Sequence, residues 1–184
     1  MIKRSFDFLA ALIALLVLIL ILVLCIVVAS CDTKSLGIFT QQRVGQDGKL
    51  FKIFKIKSMG DGNKSISKWG IFLRKSKLDE LPQLFNILFG NMSFVGPRPD
   101  VAGYYNSLQG EQRLILKLKP GLTSAASLKY FDEEFLLQQQ ENPKEYNDTV
   151  IFPDKVELNL HYYYNHTLGG DLKIIHKTLL KYIK

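Results

Sequence analysis

The sequence predicts an α+β chain, mainly helical, in which an N-terminal membrane-inserted helix precedes a small β-hairpin and a series of interfacial and globular helices. Three observations predict it. The run from Phe8 to Ala29 is apolar without a break and reaches the roughly 20 residues that a bilayer crossing takes. Ile38 to Val44 and Leu50 to Lys57 are strand-like segments on either side of Gly45-Gln46-Asp47-Gly48, a hairpin turn. From Lys68 onward the apolar residues recur at helical spacing. The division that follows is a membrane-inserted helix over residues 1–32 and one compact domain over residues 33–184, long enough to bury its own core.

Three readings compete for the N-terminal run. A cleaved signal peptide has an apolar core of about 7–15 residues, and this run is longer. Val28-Ala29-Ser30-Cys31 resembles a lipoprotein cleavage box, which would make Cys31 a lipidated terminus. The third reading, a retained anchor, is the expected one. Lys3 and Arg4 lie before the run and Lys34 and Arg43 after it, so both flanks are basic. A re-entrant insertion with both ends on the cytoplasmic side satisfies both. Cys25 and Cys31 are too few and too close to frame a disulfide fold, which fits a reduced compartment.

In the second strand Phe51, Ile53, Lys55 and Lys57 alternate onto one face, so two lysines end an otherwise apolar row. Lys68 to Lys77 carries Trp69, Phe72 and Leu73 on one side and Arg74, Lys75 and Lys77 around them, the pattern of an interfacial helix. Glu111 to Leu118 is a short helix ended by Pro120-Gly121. Asp132 to Glu141 is a helix capped by Asp132 and stopped by Asn142-Pro143. Asp154 to Tyr164 and Asp171 to Ile183 complete the series. The last directs Ile174, Ile175, Thr178, Leu179 and Tyr182 inward and Lys173, Lys177 and Lys181 outward.

The chemistry concentrates between Lys77 and Asp100. Asp79 and Glu80 precede Leu81, Leu84, Phe85 and Leu88, the spacing of a helix with one buried face. Pro82 belongs in the first turn of that helix, which sets the carboxylates at its start. Such a pair is ordinarily a cap and a dipole-compensating charge. It can also hold a hard cation such as Mg2+ against a diphosphate, and an ionised aspartate can attack phosphorus without a base. Downstream, Pro97 and Pro99 stiffen the chain on both sides of Arg98, which suits a guanidinium set to grip phosphate oxygens with both arms.

The net charge of +7, almost all of it after the apolar run, suits anionic lipid or phosphorylated substrates. No nucleic-acid-binding motif accompanies it, so no nucleic acid is expected as a partner. His161, His166 and His176 have no zinc-site spacing, and Tyr162-Tyr163-Tyr164 reads as packing.

The order of apolar segment, FTQQRVGQDGKLFKIFKIKSM, LRKSKLDELPQLFNILFGNMSFVGPRP and KPGLTS resembles the bacterial sugar transferases, the monotopic phosphoglycosyl transferases that begin assembly of surface polysaccharides. The resemblance covers nearly the whole chain. It implies transfer of a sugar phosphate from a UDP-sugar to undecaprenyl phosphate, giving undecaprenyl-diphosphate-sugar and UMP through an aspartyl phosphosugar. It also implies a Mg2+ requirement, placement at the bacterial inner membrane with the catalytic domain on the cytoplasmic side, and downstream glycosyltransferases as possible partners. By motif, Asp79 would be the nucleophile. Glu80 would assist at the metal, with Asp79 as the second carboxylate there, or in activating the acceptor. Lys57, Arg74 and Arg98 would neutralise phosphate charge. Relatives break the N-terminal helix with a Ser-Pro pair, and the run here has no proline. After Pro120 the sequence GLTSAASLKYFDEE departs from the commoner family pattern, which bears on the choice of donor sugar. The non-enzymatic alternative is an anchored or lipidated protein whose basic face binds anionic lipid.

Overall fold

The computed structural model describes residues 2–60 and 66–183. The chain divides into two compact units, one of Met1–Arg43 with Leu50–Met92 and one of Val44–Lys49 with Ser93–Lys184.

In the first unit, α1 (Ile2–Thr33) is a continuous helix, 32 residues and so about 48 Å long at 1.5 Å per residue. It is long and apolar enough to cross a membrane by length and composition. Only a narrow stripe is buried, Asp7, Ala11, Leu15, Leu22, Cys25, Ala29 and Thr33, one face of a helix by its spacing. Leu16, Val17, Leu20 and Leu24 lie outside that stripe and are exposed. Both ends of α1 are tied to the same unit. At the start, Arg4 donates to the carbonyls of Ile87 and Leu88 at 2.5 and 2.7 Å. These are the last carbonyls of α3 (Gln83–Leu88), and Ile87 O also accepts from Gly90 N–H at 3.0 Å. At the finish, Lys34 turns the chain with a φ of 51°. Gly37 then passes so near α1 that a Cβ there would lie 2.2 Å from the Ile26 carbonyl oxygen. Asp32 accepts a 2.6 Å hydrogen bond from Ser67, the residue that caps α2 (Lys68–Lys75).

The hairpin is β1 (Ile38–Val44) paired with β2 (Leu50–Ile56), as expected. The positive φ values at its tip fall on Asp47 (57°) and Gly48 (76°), while Gly45 is extended, so only one of the two glycines is needed for its backbone freedom. Alternation along β2 is imperfect, because Ile53 and Ile56 are both buried. α1, α3 and the turn at Leu78–Glu80 all pack on this strand, and each covers part of it. In α2, Leu73 is fully buried and Trp69 is partly so, but Phe72 is about half exposed and stacks on Trp69 at 5.3 Å. After α2, Lys77 adopts a left-handed φ of 55° and Leu78–Glu80 form a 3-10 turn. Asp79 and Glu80 therefore sit one turn ahead of α3 rather than inside it, with Pro82 between.

The second unit contains a two-stranded parallel ladder that the sequence reading lacks: β3 (Ser93–Val95) beside β4 (Gly121–Thr123), with Ser93 opposite Gly121 and Val95 opposite Thr123. Gly96 and Gly121 approach so closely that a Cβ on Gly121 would lie 2.1 Å from the Gly96 nitrogen. Gly121→Ala is expected to destabilise the protein by about 1–3 kcal/mol, as overpacking does. Thermal unfolding in detergent reads this, and an unchanged midpoint would dismiss the close approach as the reason for glycine.

The core of this unit gathers Val44, Tyr105, Leu108, Ile115, Leu116 and Val156. Residues Glu111 to Leu118 take 3-10 form over Gly110–Lys117. Then come α4 (Ala125–Lys129), α5 (Glu133–Gln138) and α6 (Pro143–Tyr146). Asn142-Pro143 is a start as well as a stop: the Asn142 side chain accepts from Glu145 N–H and Pro143 opens α6. A π-turn over Asn147–Ile151 leads into α7 (Phe152–Asn165), where Asn159 donates to the Tyr105 hydroxyl at 2.9 Å and Tyr162 donates to Asp171 at 2.6 Å. In α8 (Leu168–Ile183) the inward face is corrected. Asp171 is buried and Thr178 bonds Thr123 at 2.7 Å, whereas Leu179 is 57% and Tyr182 42% exposed. Apolar residues make up half of this helix, so its contacts with β3, β4 and α4 choose the face.

Candidate active site

Asp79 and Glu80 are both buried, at 8% and 7% exposure, which is rare for carboxylates and demands charged or hydrogen-bonding partners. The partner for Glu80 comes from β2: Lys55 Nζ lies 3.1 Å from Oε1 in a largely buried ion pair. Two residues on, Lys57 Nζ donates to Ser35 Oγ at 2.8 Å, beyond the end of α1. Arg74, in the last turn of α2, donates through Nε to Ser58 Oγ at 2.9 Å. The first unit thus holds Asp79, Glu80, Lys57 and Arg74, four of the five residues expected from sequence. It adds Lys55, whose link to Glu80 the strand pattern alone does not disclose.

Arg98 belongs to the second unit and is exposed. Its loop is pinned on both sides, since Pro97 O accepts from Gly121 N–H at 2.8 Å and Asp100 O accepts from Val44 N–H at 2.9 Å. The two prolines supply no donor of their own, so the loop is held through its carbonyls. Arg98 borders a shallow cleft lined also by Val44, Pro97, Tyr105, Leu116 and Pro120. Burial pushes the Tyr105 phenol above the ordinary tyrosine range, so it stays protonated as an acceptor for Asn159 and a wall of the cleft.

Among the described residues no group of three or more histidine, cysteine, aspartate or glutamate side chains could enclose a metal ion. Two adjacent carboxylates still fit Mg2+, which takes one or two carboxylates together with substrate phosphates and water rather than an all-protein cage. The donor set is therefore adequate for a metal that arrives with a diphosphate.

Residues 1–184 match the bacterial sugar transferase family. The chain belongs to that family. This sugar transferase is 36% identical over 195 residues to a UDP-glucose:undecaprenyl-phosphate glucose-1-phosphate transferase of Klebsiella pneumoniae, covering 97% of this chain and 39% of the relative. It is 29% identical over 193 residues to a UDP-N-acetylgalactosamine-undecaprenyl-phosphate N-acetylgalactosaminephosphotransferase of Aeromonas hydrophila, covering 97% of this chain and 43% of the relative. It is also 31% identical over 190 residues to the uncharacterized sugar transferase EpsL of Bacillus subtilis, with 98% of this chain and 86% of that one covered. The sugar transferase thus spans about two-fifths of the Klebsiella and Aeromonas enzymes and most of the Bacillus protein. Membership of a transferase family removes the ground for the non-catalytic lipid-binding reading.

Proposed function

We propose that this sugar transferase moves a sugar phosphate from a UDP-sugar to undecaprenyl phosphate, the first membrane step of surface polysaccharide synthesis. The observation that carries the reading is the buried Asp79-Glu80 pair, with Glu80 held by Lys55, inside the motif on which the family resemblance rests. A carboxylate attacks the phosphorus that bears the sugar: Asp79 forms the new O–P bond, the bond to the UMP oxygen breaks, and UMP leaves with that electron pair. In the second half, an oxygen of undecaprenyl phosphate attacks the same phosphorus and expels the Asp79 carboxylate, giving undecaprenyl-diphosphate-sugar. Phosphoryl transfer of this kind is mainly positioning and charge stabilisation. Lys57, Arg74 and Arg98 are the cations assigned to the phosphate oxygens, and Glu80 assists at the metal or at the acceptor phosphate. Mg2+, held by Asp79 and Glu80, would supply Lewis-acid neutralisation of the diphosphate.

Residues 1–32 form the membrane-inserted part and residues 33–184 the catalytic domain in this reading, at the inner membrane with the domain on the cytoplasmic side. The hydrogen bonds of Arg4 and Asp32 tie both ends of the unbroken α1 to one compact unit, which supports a helix whose two ends stay on the same side. Glycosyltransferases that extend the lipid-linked sugar are the partners such a product calls for. The test is UMP release by detergent-solubilised protein with undecaprenyl phosphate across a panel of UDP-sugars, with and without Mg2+. Release that needs lipid and metal names the donor. Folded protein that releases none with any donor sinks the reading.

A further inference from the structure

We propose that Asn86 is a positioning residue for the reaction: its side-chain amide stands in for a third strand on the edge of β2 and thereby holds Lys55 in register with Glu80. The inference rests on the function proposed above. Asn86 is 1% exposed, in the middle of a short helix where asparagine is a poor helix former. Its Oδ1 accepts from Phe54 N–H at 3.1 Å, and its Nδ2 donates to Lys52 C=O at 2.7 Å. One amide thus bridges the residues on either side of Ile53, the way a residue of a parallel neighbouring strand exchanges bonds with the two residues flanking its partner. An amide can do so because it carries a donor and an acceptor on two separate atoms; a carboxylate lacks the donor and an aliphatic chain lacks both. The backbone carbonyl of Asn86 also accepts from Asn91 and Met92 at 2.9 and 3.1 Å, which fixes the end of α3 at the same point.

Lys55 follows Phe54 directly, and its ammonium lies 3.1 Å from Glu80. Asn86 and Glu80 therefore grip β2 at adjacent places from one stretch of chain. A slip of two residues along β2 would carry Lys55 away by about 6–7 Å, beyond ion-pair range, so the amide clip decides whether that lysine meets that carboxylate.

The test compares wild type, Asn86→Leu and Asn86→Asp in detergent, by amide hydrogen exchange at Phe54 and by UMP release at saturating acceptor, each also in a Lys55→Met background. Exchange at Phe54 should quicken about tenfold or more in Asn86→Leu, since the bond that protects it is gone. The kcat should fall about ten- to hundredfold, the scale of a misplacement near 1 Å, with donor KM within about twofold. In the Lys55→Met background the same substitution should cost much less, because the register of an absent lysine has no consequence; a merely structural asparagine would give additive effects. Should Asn86→Leu not fold, Asn86→Asp, which keeps the acceptor for Phe54 N–H and loses the donor to Lys52 C=O, should show the same fall in kcat and the same dependence on Lys55, with exchange at Phe54 near wild type. A folded variant with freed Phe54 exchange and wild-type kcat, or additive losses, overturns the positioning role alone. Wild-type protein that releases no UMP with any donor overturns the proposed function, and this role with it.

Discussion

Replacing Asp79 with asparagine is expected to abolish UMP release, by about 10³-fold or more, while the protein stays folded; removal of a nucleophile or of a residue that works as a unit with it acts on this scale. The reason is chemical rather than steric. Asparagine keeps the volume of a side chain that is only 8% exposed, so packing in the turn Leu78–Glu80 survives. Its amide oxygen cannot form the acyl phosphate through which the sugar phosphate passes in the proposed mechanism. The measurement has two parts. Initial rates give the loss, and mass spectrometry of wild-type protein incubated with donor alone should show the phosphosugar adduct on the peptide that contains Asp79. Full activity in a folded Asp79→Asn protein would remove the covalent mechanism and leave Asp79 a structural residue of the turn Leu78–Glu80.

The second large effect is expected at Arg98. Arg98→Lys should lower kcat/KM for the UDP-sugar by about 10–100-fold, equivalent to about 1.5–3 kcal/mol for a charge-assisted hydrogen bond to phosphate. Charge is conserved in this substitution, so a loss isolates the planar fork that grips two oxygens at once. Pro97 and Asp100 are held by Gly121 and Val44, so Arg98 projects from a backbone that cannot easily move to compensate for a shorter reach. Kinetics indistinguishable from wild type would confine Arg98 to the turn itself.

Much of this was legible along the chain because it depends on neighbours in sequence. The apolar run gives α1 by composition, and the hairpin follows from two strand-like segments around a turn whose Asp47 and Gly48 take positive φ. Asp79, Glu80 and Arg98 stand out because unusual residue types are packed into one short motif. Local signals were less exact where a side chain has two uses: Asn142 ends one helical stretch and caps the next. In α8, Leu179 was expected inward and is exposed, since a helix that is apolar over so much of its girth does not name its own buried face.

By itself, then, the sequence determined the long N-terminal helix, the hairpin and the longer later helices, and singled out the candidate reactive side chains, because helix period, turn chemistry and clustered charge are properties of a few consecutive residues. The tertiary structure alone decided which of these meet. The three-residue strands Ser93–Val95 and Gly121–Thr123 are too short to show a period and exist only as each other's partner. Lys55 is one of two lysines on β2 until the amide of Asn86 fixes the strand against the chain that carries Glu80. Pairings of this kind join residues 25 to 34 positions apart, and they are set by burial and hydrogen-bond satisfaction across the fold, which no local pattern encodes.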